Sequence, residues 1–172
     1  ACDAKEPLPE NRDAEIESPV IANDLSNQKV TAIAEDTQGH IWIGTFRGLN
    51  KNNVHDYHQY FCTDDSLGLP DNQITHLLRD SKNRFWVGTV NGVCLYTDKD
   101  NFRIIPIEAD NKNVRQILED RNGRIFLNTG FQLYAYHPRE EKITCVLPEI
   151  SPGNAFYAQC HIAPDNNLWV MT

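Results

Sequence analysis

Basic side chains are the scarce component of this chain of 172 residues, with 16 Lys and Arg against 24 Asp and Glu and a net charge of −8. That balance argues against a nucleic-acid backbone or an anionic membrane surface as the main partner. No apolar run approaches the roughly 18 residues that a membrane span requires. The five cysteines (Cys2, Cys62, Cys94, Cys145 and Cys160) are odd in number and show no C-x-x-C spacing, so they signal neither a disulfide framework nor a zinc site. Apart from Cys2 they read as small apolar core residues. Serine nucleophile elbows, phosphate loops and Cys-His signatures are missing as well, and no cofactor is expected. What is present is ordinary for a globular chain: 40% apolar residues, 23% charged residues and a mean hydropathy of −0.53.

The informative content is a repeat. The segment from Val30 to Thr45, VTAIAEDTQGHIWIGT, aligns without gaps on Ile74 to Thr89, ITHLLRDSKNRFWVGT. It aligns again on Val114 to Thr129 and, more weakly, on Tyr157 to Thr172. Its aromatic anchors, Trp42, Trp86, Phe126 and Trp169, are spaced by 44, 40 and 43 residues. That period belongs to propeller blades or to helical repeats of the HEAT type. Val30, Ile33 and Ala34 also fit a helical stripe, so periodicity alone does not choose. Turn chemistry does. Each apolar run stops at Asp36-Thr37-Gln38-Gly39, Asp80-Ser81-Lys82-Asn83 or Asp120-Arg121-Asn122-Gly123, where Asp starts an Asx turn and Gly or Asn accepts positive φ. A β-branched and aromatic run follows at once, which makes a hairpin.

Paired glycines (Gly44 and Gly48, Gly88 and Gly92) then lead into a third strand, Val93–Tyr96 or Leu133–Tyr136, and a fourth at Phe102–Ile105 or Ile143–Val146. The third strand of the first repeat, Leu49–Asn52, is polar and suits an edge or an exposed blade. The fold class expected is all-β: four-stranded antiparallel propeller blades at about 30–61, 74–107 and 114–147, with half a blade at 157–172. Residues 1–18, rich in Asp, Glu and Pro, read as a flexible leader before a partial propeller over 19–172.

The pattern running from Val30 to Leu49, with its Glu-Asp pair, Ile-Trp-Ile-Gly-Thr and closing Gly-Leu, resembles the two-component regulator propeller repeat. The lead-ins Leu25-Ser26-Asn27-Gln28 and Leu69-Pro70-Asp71-Asn72-Gln73 resemble that family's linker into each blade. Blade three departs from it with Asn128 and Gln132 in place of glycines, and blade four lacks the Glu-Asp pair. The resemblance implies the periplasmic sensor region of a hybrid two-component histidine kinase, attached to the inner membrane in the full-length protein. It implies binding of oligosaccharides released from complex polysaccharides. Membrane contact would then come only through segments beyond this chain, or through lipidation of Cys2 if Ala1-Cys2-Asp3 is a lipoprotein remnant; an arbitrary chain boundary is the favoured reading of that start. Three and a half blades are too few to close a ring, so self-association as a homodimer is expected.

Repetition also filters candidates, because a residue found in every blade serves the blade before it serves a ligand. The anchors Trp42, Trp86, Phe126 and Trp169 are accordingly read as inter-blade packing rather than a sugar platform. Asp36, Asp80 and Asp120 are read as turn formers rather than acids or metal ligands. His55 and His58 lie three apart, which on a strand points them to opposite faces and argues against a metal. Asp64-Asp65 and Glu140-Glu141 are read as solvated turns. The loops that vary are those entering each first strand and those joining strands two and three, which share one edge of the disc. Their side chains Phe46, Arg47, Asn72, Gln73, Asn91 and Phe131 combine hydrogen-bonding groups with apolar rings, as a sugar requires. A propeller lyase or glycosidase, with His76 as its best lone candidate, and a protein-interaction propeller are the alternatives.

Overall fold

A computed structural model describes residues 20–63, 67–97, 99–148 and 158–171. The acidic leader with Cys2, and the Asp64-Asp65 pair, lie outside the described residues. Every regular element among those residues is a β-strand. The first sheet contains β1 (Val20–Ala22), β2 (Val30–Glu35), β3 (Ile41–Thr45), β4 (Gly48–Asn53) and β5 (Asp56–Tyr60) in the order β1-β5-β4-β3-β2. The second is β6 (Ile74–Arg79), β7 (Phe85–Thr89), β8 (Gly92–Tyr96) and β9 (Phe102–Ile105). The third is β10 (Gln116–Glu119), β11 (Ile125–Asn128), β12 (Leu133–His137) and β13 (Lys142–Leu147), and a hairpin of β14 (Gln159–Ile162) and β15 (Leu168–Met171) follows. All these pairings are antiparallel between chain neighbours, except that β1 adds to the outer edge of β5.

The sheets stack face to face, and strand alternation decides which neighbour each side chain meets. On β7, Phe85 and Val87 join Trp42, Leu49 and Tyr60 of the first blade, whereas Trp86 joins Val114, Ile117 and Tyr134 of the third. A strand buried on both faces reads as a continuous apolar run, which is why Phe85-Trp86-Val87 shows no alternation. Aromatic contacts knit the seams. Trp42 packs 5.0 Å from Phe85 and edge-on to Tyr96 at 4.6 Å, and Trp86 meets Tyr136 edge-on at 4.9 Å. The glycine of each Gly-Thr pair serves the same seam: a Cβ on Gly44 would lie 2.5 Å from Ile74 Cγ2 of the next blade.

Each hairpin corner is built on its aspartate. Asp80 Oδ1 accepts the backbone N–H groups of Lys82 and Arg84 at 3.0 and 2.9 Å, and Oδ2 accepts the indole N–H of Trp86 at 2.8 Å. Asp36 repeats the arrangement with Gln38, His40 and Trp42. Asp120 repeats the turn with Asn122 and Arg124, but faces Phe126, which has no donor. The turn role expected of these carboxylates is therefore what the structure contains, together with a link to the anchor that the spacing did not suggest.

Three expectations are corrected. The polar strand Leu49–Asn52 is not an edge. It runs between β3 and β5, with Asn50 fully buried because its amide donates to Ile43 O and Ser26 Oγ while its Oδ1 accepts the Ser26 N–H. Trp169 is 60% exposed rather than packed, since it lies on the face through which Trp42 and Trp86 meet the following blade, and nothing among the described residues covers it. Cys94 and Cys160 are buried, but Cys62 and Cys145 are exposed, so only half of the described thiols are core residues.

Candidate functional site

The entry loops and the loops between the second and third strands do share one edge, held by backbone hydrogen bonds. Phe46 N–H donates to Lys29 O at 3.1 Å, and Val90 N–H donates to Gln73 O at 3.2 Å. Across the seam, Gly48 N–H donates to Asn72 O at 2.7 Å. The hydroxyls of buried Thr45 and Thr89 close the inter-strand turns by donating to Gly48 O and Gly92 O at 2.8 and 3.0 Å. Gly48 and Gly92 have φ of 121° and 135°, a conformation that excludes most side chains. Blade three meets the same need differently, with positive φ moved to Gly130 and the Asn128 Oδ1 accepting its N–H at 2.6 Å.

An Asx turn fixes each entry loop. Asn27, Asp71 and Asn111 accept the N–H groups of Lys29, Gln73 and Asn113 at 2.9, 2.8 and 3.0 Å. The residue so presented stands immediately before the first strand in blades one and two, and three positions before it in blade three. Between blades one, two and three an open cleft of about 270 Å³ is lined there by Thr31, Gln73, Ile74, Thr75, Val90, Asn113 and Arg115. Two of its buried polar atoms, Thr31 Oγ1 and Asn113 Oδ1, have no hydrogen-bond partner. Thr75, at the position equivalent to Thr31, instead donates to Val114 O of the next blade. Arg115 stands at that same position in blade three, so the repeat breaks where the cleft is deepest in polar groups.

Of the six residues that the sequence nominates, all lie on this edge, but only Gln73 lines the cleft. Phe46 has the Lys29 ammonium 3.7 Å over its ring, Arg47 and Asn91 are exposed, and Phe131 is half-buried beside Gly130. Asn72 is largely structural, its Oδ1 accepting Cys62 N–H at 2.7 Å. Thr31 and Arg115 stand outside that nomination, and Asn113 belongs to it only as part of the varying entry loop of the third blade. Aligning each residue immediately before and after Val30, Ile74 and Val114 would have exposed them. His76 is half-buried, with burial pushing its pKa down and a hydrogen bond to the Ile117 backbone opposing that shift. Nothing clusters around it: among the described residues there is no group of three His, Cys, Asp or Glu able to hold a metal.

Antiparallel sheets of four strands, five in the first blade where β1 is added, stacked through aromatic seams with their variable loops gathered on one edge, make this chain a segment of a β-propeller. Two stretches, residues 24–47 and 68–91, match the two component regulator propeller model. No curated protein matches the chain. Among solved structures it is similar to the extracellular domain of the hybrid two component system BT4673 from B. thetaiotaomicron, with 22% identity and a TM-score of 0.68 over 84% of this chain and 20% of that one. The corresponding domain of BT3049 from the same organism gives 19% identity and a TM-score of 0.69 over 97% of this chain and 23% of that one. Virginiamycin B lyase from Staphylococcus aureus gives 20% identity and a TM-score of 0.64 over 88% of this chain and 52% of that one. At these identities the likeness is one of fold, and the chain spans about a fifth of the length of the two sensor domains.

Proposed function

We propose that this chain is a ligand-sensing, non-enzymatic part of the extracytoplasmic region of a hybrid two-component sensor, held at the inner membrane in the full-length protein. Its ligand is an oligosaccharide released from a complex polysaccharide. The observation that carries the reading is the cleft at the loop edge, where Thr31 Oγ1 and Asn113 Oδ1 are buried without partners beside Gln73 and Arg115. A buried acceptor or hydroxyl left unpaired costs about 1–3 kcal/mol, which a sugar hydroxyl in the cleft would recover. Arg47, Asn91, Phe46 and Phe131 extend the same edge as a polar and aromatic rim, and Asn72 positions it. The match to two-component regulator propeller repeats and the fold likeness to sensor domains support the signalling role. Signalling follows if the bound and free states differ in how propellers sit against one another, a change a homodimer could pass on through differential contact energies.

The lyase likeness gives the enzymatic alternative its footing, with His76 as its residue. The test is titration calorimetry of the full-length extracytoplasmic protein against a panel of polysaccharide-derived oligosaccharides, each assayed for cleavage. Binding without turnover, weakened at least tenfold by Asn113→Leu and by Gln73→Leu, is the expected result. Turnover lost in His76→Ala, binding indifferent to both cleft variants, or a reading frame with no membrane span and kinase downstream would overturn the reading.

A further inference from the structure

We propose that the cleft between blades one and two on the opposite edge of the disc is a second binding site, one for a small oxyanion: the carboxylate, sulfate or phosphate group of a small molecule. It occupies about 140 Å³ among the hairpin corners, and its charged lining is Lys51, Arg79, Asp36 and Asp100, with Tyr96 and Phe85 supplying aromatic faces. A space of that size holds a few waters or a group of comparable bulk, too little for a sugar chain and enough for one anionic group.

Repetition singles out both cations. Lys51 pairs across the sheet with Trp42, and the residues in the same register against Trp86 and Phe126 are Leu95 and Ala135. Blade one thus carries an ammonium where the others carry an aliphatic side chain. Arg79 ends the first strand of its blade, where Glu35 and Glu119 end theirs. At the next seam Glu119 does a structural task, its carboxylate accepting the Ser81 N–H at 2.8 Å. Arg79 reverses the charge and makes one hydrogen bond there, from Nη1 to Asp36 O at 3.2 Å. A guanidinium has five N–H donors, so most of its capacity is uncommitted among the described residues.

The carboxylates that line the cleft are already engaged. Asp36 accepts from the Trp42 indole and from the backbone N–H groups of Gln38 and His40. Asp100 Oδ1 accepts the hydroxyls of Tyr60 and Tyr96 at 2.7 and 2.6 Å. Lys51 donates to the Tyr96 hydroxyl at 3.3 Å and stands 4.0 Å from Asp100, with its side chain only 15% exposed. Its ammonium also lies 5.3 Å from the Trp42 ring and 5.4 Å from that of Tyr96. A cation held away from water beside two ring faces attracts an anion more strongly than a solvated one. Arg79 adds the planar donor pair that matches a carboxylate, sulfate or phosphate. In a chain of net charge −8, the two cations bring the charged lining of this cleft, with Asp36 and Asp100, to neutrality.

The experiment is titration calorimetry of the protein with sodium acetate, sulfate and phosphate, each against sodium chloride at matched ionic strength. Saturable one-to-one binding of at least one of them is expected. Acetate preference would assign a carboxylate ligand, and sulfate or phosphate preference a tetrahedral one. Arg79→Gln should weaken that binding at least tenfold without moving the melting temperature, since Arg79 is exposed. Lys51→Met should weaken it similarly, whereas Asn113→Leu at the other edge should leave it unchanged. No binding above chloride, or wild-type affinity in both Arg79→Gln and Lys51→Met, overturns the proposal, and neither result touches the oligosaccharide reading.

Discussion

Replacing Asp80 with alanine should cost far more than loss of a surface turn. The side chain has no exposed surface and accepts four hydrogen bonds: two from the turn backbone, one from Arg84 Nε at 2.6 Å and one from the Trp86 indole at 2.8 Å. Alanine leaves the turn N–H groups and the arginine able to find water, but strands the indole N–H of a fully buried tryptophan. An unsatisfied buried donor costs about 1–3 kcal/mol, and the lost turn bonds add about 1 kcal/mol. We expect about 3 kcal/mol in total, which for a chain of this length lowers the melting temperature by about 6–12 °C. Blade three supplies the control. Asp120 makes the same turn bonds and the same 2.6 Å contact with its arginine, but its anchor is Phe126, so Asp120→Ala strands no indole. Its cost should be about 1–1.5 kcal/mol, that of the turn bonds alone. Urea and thermal unfolding of the two variants, followed by circular dichroism and tryptophan fluorescence, measure the difference. Equal losses in the two variants, or a loss below about 0.5 kcal/mol for Asp80→Ala, would refute the claim that the corner carboxylate anchors the seam.

Two further outcomes follow from the same geometry. Gly44→Ala should destabilise by about 1–3 kcal/mol through overpacking, because the new Cβ falls 2.5 Å from Ile74 Cγ2; Gly44→Ala combined with Ile74→Ala should cost less than the sum of the two, and strict additivity in urea unfolding would contradict the contact. Acid should act through Asp36 and Asp120. Burial pushes both carboxyls up, but the indole, backbone and arginine donors outweigh it and hold their pKa below the ordinary 3.8. A depressed folded pKa contributes stability that is present above about pH 3.8 and lost as the pH falls through the folded value. Stability measured from pH 5 down to pH 2 should therefore fall chiefly below pH 4, and a flat profile there would count against this.

Most of the blade was legible because it is local. A six-residue apolar run, an Asp-led turn and a β-branched run predict a hairpin from neighbours in sequence, and the recurrence of that unit supplied the architecture. The bond from Asp80 to Trp86 was not legible, although both residues lie in one hairpin, because Asp80 reads from the sequence only as a turn former. Other features depend on distant chain. Val20–Ala22 becomes a strand because it meets the outer edge of β5, nearly 40 residues away, and three residues carry no pattern of their own. Asn50 looks like a surface residue until Ser26 is placed against it. Trp169 shows the limit in the other direction, because an anchor is buried only where a following blade lies against it.

The same asymmetry explains why the candidate site was only partly legible. Loop variation pointed to the edge that carries the larger cleft, yet five of the six nominated residues stand around that cleft rather than in it. The informative signal was variation inside the repeated frame. Thr31, Thr75 and Arg115 are one position in three blades, and the first has an unpaired hydroxyl, the second a bond to the next blade and the third a different chemistry. Lys51 against Leu95 and Ala135, and Arg79 against Glu35 and Glu119, are breaks of the same sort on the other edge. A repeat fixes what building a blade demands at each position, so a charged or polar side chain that departs from it must be explained by its own surroundings. Where those surroundings offer a cleft and uncommitted hydrogen-bonding groups, that position is the first at which to test binding.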